Sequence, residues 1–595
     1  MSEDPGLLTE WARLLLGCFA QAGVTEVVIS PGSRSTPFAI AALRTPGLTC
    51  HSVVDERAAG FFALAQGRLC GRPSLLLCTS GSAPAHYLPA VIEAARARVP
   101  LLILSADRPF ELQDAEAPQT IDQQRLFGVH ARAYVELGDP AAQRSTLASL
   151  PRRVAQALAS AQYPEPGAVH VNARARKPLE PRPAAPELSR TVDALLARGV
   201  PRLRLPRVSP EPEAIRELAD ACRRFPRGVI TVGSEAPCRA LDQMSLEQLA
   251  ALTGYPVISE IGSQQRTLSA PEAPVFIDTY DALLSDAAFA AEIEPELVIQ
   301  VGNPLVASSA ERLLGAHTEL WVLTAHGVPD PFARAHAIVL GSARASVEQL
   351  VRELAATEPA RAAREAESAA WLGSWLRAAN AAARELGREL DGAPADALDE
   401  GTVTRAVLRA TRAGGALVLG NSLPVRHAEY FAARVPDGVS VLVQRGASGI
   451  DGLVAGAMGA AALGRPTSVL LGDVSLLHDA SALALASLCR APLRVVVLNN
   501  LGGRIFDQLP VRGAVSDAER RFWTTPHALS FEALARFYEL AYVRASTRAE
   551  LAAALDRAEP KLLIEAVVSE DAYSMQRERF GRALRQALAT RDEAC

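Results

Sequence analysis

Short apolar runs separated by helical patterns recur in three stretches of this chain, and that rhythm restricts its fold more than any other feature. A parallel strand buried on both faces reads as an unbroken apolar run, and a crossover helix must carry the chain back before the next strand can start. Between Val24 and about Arg176 the runs are Val27–Ser30, Leu75–Cys78, Leu101–Ser105 and Val169–Asn172. The spacing predicts βα repetition around a parallel sheet.

A Pro- and Arg-rich stretch from Arg174 to about Pro212 reads as a linker. A second α/β unit follows, with strands expected at Gly228–Gly233, Val257–Ser259, Leu297–Gly302 and Glu319–Thr324. Ala355–Asp391, rich in Ala, Glu and Arg at helical spacing, reads as a long, partly solvated helix joining domains. A third unit starts near Thr402, with strands expected at Ala416–Gly420, Val439–Val443, Ser468–Leu471, Leu493–Asn499 and Leu562–Val567. The fold class is therefore α/β, with three doubly wound parallel-sheet domains, at residues 1–185, 205–355 and 395–595. A length of 595 residues suits that number.

Composition removes several chemistries. Of the 61 basic residues only Lys177 and Lys561 are lysines, leaving 59 arginines. Neither lysine follows a glycine-rich turn, so a phosphate-binding P-loop is excluded, and lysine-imine chemistry has two poor candidates. The eight cysteines (Cys18, Cys50, Cys70, Cys78, Cys222, Cys238, Cys489, Cys595) form no Cys-x-x-Cys pair, which argues against a disulfide framework or zinc knuckle. Met1–Gln21 carries Glu3 and Asp4 and reads as an amphipathic helix, not a signal peptide. No run of about 18 apolar residues suggests a membrane span, and the net charge of -5 does not suggest a nucleic-acid partner. A cytoplasmic location is expected.

Gly472-Asp473 ends one strand of the third unit, and Asn500 follows the next strand after 26 intervening residues that begin with a helix pattern over Val474–Arg490. A carboxylate and an amide at adjacent strand ends, with a turn carbonyl and phosphate oxygens, meet the oxygen-only, near-octahedral demand of Mg²⁺. The spacing resembles the thiamine diphosphate (ThDP) fingerprint of 2-oxoacid enzymes. Such enzymes also need a glutamate from a separate domain to hydrogen-bond the aminopyrimidine ring. Glu56, in Val53-Val54-Asp55-Glu56-Arg57, stands after a strand at the start of a helix ending near Cys70, and Thr79-Ser80-Gly81 follows one strand later. Removal from water is expected to suit Glu56 to sharing a proton.

Three further segments are Ser30-Pro31-Gly32-Ser33-Arg34-Ser35-Thr36-Pro37, Gly420-Asn421-Ser422-Leu423-Pro424-Val425-Arg426 and Gln444-Arg445-Gly446-Ala447-Ser448-Gly449-Ile450-Asp451-Gly452. With Asp107-Arg108-Pro109, Gln119-Thr120-Ile121-Asp122-Gln123 and Asn500-Leu501-Gly502-Gly503-Arg504-Ile505-Phe506, they closely resemble the MenD family from about Val24 to Pro510. That family synthesises 2-succinyl-5-enolpyruvyl-6-hydroxy-3-cyclohexene-1-carboxylate (SEPHCHC) for menaquinone or phylloquinone. It decarboxylates 2-oxoglutarate on ThDP and adds the succinyl carbanion equivalent to isochorismate. The resemblance implies that the first and third domains bind the pyrimidine and the diphosphate of ThDP.

By the same resemblance, Glu56 activates the cofactor, and Thr79, Ser80, Gly81, Asn421, Ser422, Gly472 and Gly503 line its site. Asp473, Asn500 and the Gly502 carbonyl hold Mg²⁺ or Mn²⁺, Ile450 wedges the cofactor into its bent shape, and Ile505 and Phe506 wall the pocket. Ser33, Arg34, Arg108, Gln119, Ser422, Arg426 and Arg445 face the substrates. Two dicarboxylates carry four negative charges, which guanidinium forks recognise bidentately. The middle domain offers Arg312 where the family usually carries a Ser-Lys-Arg-like segment.

No histidine here adjoins another, whereas simple 2-oxoacid decarboxylases use a His-His pair to protonate the carbanion. The absence favours carboligation. An acetolactate-synthase-like enzyme would usually need an FAD-holding middle domain, and no Gly-x-Gly-x-x-Gly lies in residues 213–350. A catalytically silent homologue would be expected to lack Glu56 or the metal pair. The resemblance implies a homodimer or homotetramer with active sites at the subunit interface.

Overall fold

The computed structural model describes residues 4–234, 241–268, 275–356, 362–392 and 396–590; Glu3, Cys238 and Cys595 lie outside them. Strands β1 (Glu26–Ile29), β2 (Thr49–Ser52), β3 (Ser74–Cys78), β4 (Leu101–Asp107), β5 (Ala131–Glu136) and β6 (Ala168–Arg174) form a sheet in the order β2-β1-β3-β4-β6-β5. Its registers are parallel, with Leu76 opposite Ile103 and Ile103 opposite His170. A second parallel sheet contains β7 (Gly228–Val232), β8 (Val257–Ser259), β9 (Leu297–Val301), β10 (Glu319–Thr324) and β11 (Ala335–Leu340), ordered β11-β10-β9-β7-β8. The third contains β12 (Ala416–Leu419), β13 (Ser440–Val443), β14 (Thr467–Gly472), β15 (Leu493–Asn499), β16 (Ala541–Ala545) and β17 (Lys561–Val567), ordered β13-β12-β14-β15-β17-β16. Counted from its own first strand, the third sheet repeats the order of the first.

The strands expected from apolar runs are all present. The additional strands β2, β5, β11 and β16 each lie at a sheet edge and are largely half-exposed. Their partly wet faces deny these four the continuous apolar run of a strand buried on both sides, whereas β8 and β13, also at sheet edges, are buried and read as apolar runs. The linker from Arg174 to Pro212 contains a helix, Pro186–Arg198, whose Leu188, Val192 and Leu195 are buried in the first domain's core. Its apolar stripe is hidden among prolines and arginines. The expected helix over Val474–Arg490 is instead a short α-helix, Asp473–His478, followed by a 3₁₀ helix, Ala480–Leu488.

The long helix Ala362–Gly392 is less solvated than its composition suggests. Trp371, Trp375, Ala378, Ala382, Leu386 and Leu390 form a buried stripe at helical spacing, packed with Phe580, Leu584 and Leu588 of the last helix, Ala572–Ala589. The alanine- and arginine-rich remainder of the sequence masks that stripe.

The chain divides into two compact units. One consists of Met1–Pro206, Gln444–Arg465 and His478–Leu493; the other holds the remainder, including the second sheet and nearly all of the third. In the first unit the helix Leu453–Ala462 lies on the helix Glu56–Cys70. Glycines permit the approach: a Cβ on Gly452 would lie 1.9 Å from the Phe61 ring, and one on Gly459 would lie 2.3 Å from the Phe62 carbonyl.

Asp479 caps this glycine-rich helix, its Oδ2 accepting hydrogen bonds from the amides of Val454 (2.7 Å) and Ala455 (3.0 Å). Burial, partly opposed by these amides, pushes the Asp479 carboxyl up to about 7. A carboxyl that binds its proton more tightly in the folded state gives most stability below its unfolded pKa of about 4, and that stability is lost as pH rises through about 7. Asp479→Asn keeps an acceptor without a charge to desolvate. The melting-temperature difference, variant minus wild type, should therefore become more positive between about pH 4 and about pH 8; a difference independent of pH would contradict the assignment.

Candidate active site

In the first sheet, the chain order reverses between β1 and β3, so the loops leaving these strands diverge and open a crevice at the C-terminal edge. The loop after β1 carries Ser33 and Arg34, β3 runs into Thr79-Ser80-Gly81, and β4 runs into Arg108. The loops after β3 and β4 are interlocked. The Arg108 Nη1 donates to Ser80 Oγ (2.6 Å) and its Nη2 to the Pro118 carbonyl (3.0 Å), while Ser80 Oγ donates to the Gln119 carbonyl (3.1 Å). Gln119 Nε2 returns a bond to the Ser80 carbonyl (2.9 Å), and Gln123 Oε1 accepts from the Gly81 amide (3.2 Å). Gly81 has φ +81°, and a Cβ there would meet Gln119 Cγ at 2.7 Å.

Arg34 is buried, and its Nη1 donates to the Ala175 carbonyl (2.6 Å). Burial and then the charge of Arg108 lower the Arg34 pKa, and burial lowers that of Arg108. The nearest acid in sequence, Asp107, is occupied: it accepts from the Arg108 amide (2.7 Å) and from Asn172 (2.9 Å) and pairs with Arg174 (3.2 Å). Arg34 Nε and Thr79 Oγ1 are buried without a hydrogen-bond partner among the described residues. Asp107 offsets the desolvation of Arg34 and Arg108 only in part, so two guanidiniums with no direct carboxylate contact among the described residues, beside orphaned polar atoms, can accept an anionic ligand.

Glu56 is half-buried in the first turn of its helix, which is capped by the Asp55 side chain accepting from the Arg57 amide (3.0 Å). The same Asp55 carboxylate accepts from Ser481 Oγ (3.1 Å). The loop 444–452 belongs to this unit. Gln444 Nε2 donates to the Gly452 carbonyl (3.0 Å), closing the loop, and Arg445 and Ile450 within it are half-buried.

In the second unit, the equivalent strand ends of the third sheet carry the remaining candidates. β12 leads to Asn421 and Ser422, β14 to Gly472-Asp473, and β15 to Asn500-Leu501-Gly502-Gly503. Asp473 is buried; its Oδ1 accepts from the Val474 amide (2.7 Å) and its Oδ2 from the Gly502 amide (2.9 Å). Burial raises its pKa, opposed by those amides and by His527, whose Nε2 lies 3.2 Å from Oδ2. Gly502 has φ +141°, and a Cβ on it would lie 2.5 Å from the Thr524 carbonyl, so the turn needs glycine. The Asn500 amide points its Nδ2 toward Glu400 Oε1 (3.5 Å), leaving Oδ1 without a hydrogen-bond partner among the described residues. A Cβ on Gly472 would meet nothing within 4 Å. A carboxylate with spare lone pairs, an amide oxygen without a partner and open space at the turn fit a hard, oxygen-seeking divalent cation bound beside phosphate oxygens. Among the described residues there is no metal-holding group of three or more His, Cys, Asp or Glu.

Ser422 has φ 70° and ψ -122°, a strained conformation that starts the helix Leu423–Tyr430, and its carbonyl accepts from Arg426 Nη1 (2.6 Å). Ile505 and Phe506 lie on the 3₁₀ helix Arg504–Gln508, Phe506 at its exposed side. Arg312 does not join these groups through any contact. Its Nη1 donates to the carbonyls of Leu284 (2.7 Å) and Ser285 (2.9 Å), at the end of the helix Tyr280–Ser285. His86 and His478, which lie near the motifs in the chain, are exposed, whereas His527, which no motif singles out, reaches Asp473. Glu400, buried and pushed up to about 8 by desolvation, likewise carries no sequence signal.

Residues 9–126 match the family described as "Thiamine pyrophosphate enzyme, N-terminal TPP binding domain", and residues 425–566 match "Thiamine pyrophosphate enzyme, C-terminal TPP binding domain". A Sorangium cellulosum (strain So ce56) protein named 2-succinyl-5-enolpyruvyl-6-hydroxy-3-cyclohexene-1-carboxylate synthase is 43% identical over 579 residues, 94% of this chain and 93% of its own. A namesake from Myxococcus xanthus (strain DK1622) is 41% identical, covering 89% of each chain. Another, from Halorubrum lacusprofundi, is 36% identical over 91% of this chain and 90% of its own. Similarity of that degree over nearly the whole of both chains, on a frame of parallel α/β sheets, means that the chain belongs to the SEPHCHC synthase (MenD) family of ThDP-dependent enzymes.

Proposed function

We propose that this protein is a SEPHCHC synthase: it decarboxylates 2-oxoglutarate and joins the resulting succinyl unit to isochorismate, in menaquinone or phylloquinone synthesis. The single observation that carries the reading is the Arg34–Arg108 pair, one buried and one half-buried, which makes no direct salt bridge to a carboxylate among the described residues and suits a dicarboxylate. ThDP, when bound, would supply the carbon nucleophile and the electron sink that decarboxylation of a 2-oxo acid needs.

The chain's own residues bind, orient and protect. Glu56 hydrogen-bonds the aminopyrimidine and moves the proton that activates the cofactor. Asp473, Asn500 and the Gly502 carbonyl hold Mg²⁺, or Mn²⁺, against the diphosphate, with Gly472, Gly503, Asn421 and Ser422 alongside. Ile450 would pack against the cofactor, and Thr79, Ser80 and Gly81 would border its pyrimidine end. Ile505 and Phe506 keep water from the reacting carbon. Ser33, Arg34, Arg108, Gln119, Ser422, Arg426 and Arg445 receive the substrates; Arg312, occupied by two carbonyls, is the weakest member of the set.

On this reading the domains run over 1–185, 205–355 and 395–595, and the enzyme works in the cytoplasm as a homodimer or homotetramer, with Glu56 of one copy serving the cofactor held by Asp473 of another. Among the described residues no helix is long and apolar enough to cross a membrane.

With Mg²⁺ and ThDP, purified protein should consume isochorismate and release CO₂ only when 2-oxoglutarate is present; failure to form an adduct from both substrates would overturn the proposal. Glu56→Gln should still bind ThDP, seen by quenching of protein fluorescence, and lose turnover by about a hundredfold or more. Full activity would remove Glu56 from its role. Asn500→Ala should weaken Mn²⁺ binding by about tenfold or more in a titration followed by electron paramagnetic resonance; unchanged affinity would mean that the cation is held elsewhere.

A further inference from the structure

The Glu93 carboxylate is buried on the helix Leu88–Ala97 and pairs with no cation among the described residues. Its Oε1 accepts from the Gly446 amide (3.0 Å) and its Oε2 from the Ala447 amide (2.6 Å). A buried carboxylate is costly to desolvate, so the two charge-assisted bonds that satisfy it are strong and hold the loop's backbone at that point. The approach is close: a Cβ on Gly446 would lie 2.7 Å from the Ala97 amide nitrogen and 2.9 Å from the Glu93 carbonyl. Only glycine at 446 lets the loop reach the carboxylate.

The clamp has two companions within the same unit. Gln444 Nε2 ties the start of the loop to the Gly452 carbonyl, and Asp479 holds the amides of Val454 and Ala455 just beyond its end. Gly452 itself sits against the Phe61 ring. The clamped stretch therefore begins beside Arg445 and runs through Ile450, with Ala447 and Ser448 exposed between the anchors and Ser448 at φ 61°. A left-handed, exposed loop has little intrinsic preference for one conformation. The direction in which Arg445 leaves the backbone depends on where the next two amides are fixed.

We propose that Glu93 is a positioning residue for the reaction: by holding the amides of Gly446 and Ala447 it aims the Arg445 guanidinium at a substrate carboxylate. The inference rests on the reading of Arg445 as a substrate-binding residue. It assigns Glu93 no contact with substrate, so its removal should weaken binding more than chemistry. Glu93→Gln is the informative change, because it keeps the size of the side chain and turns an NH₂ group toward one of the two amides.

The test uses the Mg²⁺- and ThDP-loaded enzyme, with Arg445→Lys as reference. Hydrogen exchange measured by mass spectrometry on peptides covering 444–452 reads the clamp directly, independently of turnover. Exchange should be about tenfold or more faster in Glu93→Gln, and the KM of whichever substrate Arg445→Lys affects should rise about tenfold, with kcat changed far less. Gly446→Ala, which leaves Glu93 intact but forces the loop outward, should reproduce both effects and decides the matter if Glu93→Gln fails to fold. Unchanged exchange overturns the clamp. Faster exchange with wild-type KM values, while Arg445→Lys raises one, overturns the positioning role and leaves the reading of Arg445 intact. If Arg445→Lys changes neither KM, that reading falls and the proposal falls with it.

Discussion

Parallel strands all end on one edge of their sheet, and the placement of the candidate residues follows from that constraint. In the first and third sheets the order reverses at the same place, between the first and third strands, so the loops leaving those strands separate and expose backbone polar groups. Arg34, Thr79 to Gly81 and Arg108 occupy the ends of β1, β3 and β4; Asn421, Asp473 and Asn500 occupy the corresponding ends of β12, β14 and β15. Two sheets of one topology thus carry complementary chemistry at equivalent positions. The first offers cations and the third offers oxygen donors.

Three carboxylates hold the surrounding loops by one device. Glu93, Asp479 and Asp473 are buried, and each accepts two backbone amides: from Gly446 and Ala447, from Val454 and Ala455, and from Val474 and Gly502. A carboxylate satisfied by amides needs no arginine to neutralise it, so it takes none from the set proposed to bind substrate. The amides tie it to backbone, so it fixes loop conformation as well as charge. Glycines at 446, 452 and 502 supply the close approach or the positive φ that these contacts require.

Much of this arrangement was legible in the sequence, and the gaps have physical causes. Strands buried on both faces announce themselves, the edge strands β8 and β13 among them; the half-exposed edge strands β2, β5, β11 and β16 do not. Motifs with fixed local spacing, such as Gly472-Asp473 and Ser30 to Pro37, point to groups at strand ends because turn and donor are adjacent in the chain. Glu93, Glu400 and His527 act on residues 353, 100 and 54 positions away, at Gly446, Asn500 and Asp473. No local pattern records such pairings. A glutamate on the buried side of an ordinary helix, as at 93, looks like an exposed surface charge until the fold delivers its acceptors' partners.

The arginines sharpen the point. Position beside small polar residues at a strand end singles out Arg34, Arg108, Arg426 and Arg445 among 59. Burial alone would have chosen differently, since Arg174 and Arg266 are among the most buried side chains. Arg174 pairs with Asp107 and Glu136, and Arg266 with Glu429 at 2.8 Å, so their charges are already neutralised within the fold. Arg34 is buried and Arg108 half-buried with no direct carboxylate contact among the described residues; the charge of Arg108 adds to burial in lowering the Arg34 pKa, and Asp107 offsets this only in part. A desolvated cation is unfavourable alone and favourable once a carboxylate arrives. What distinguishes a binding arginine from a structural one is therefore the direct acid contact: Asp107 pairs with Arg174, and its charge offsets the desolvation of Arg34 and Arg108 only in part.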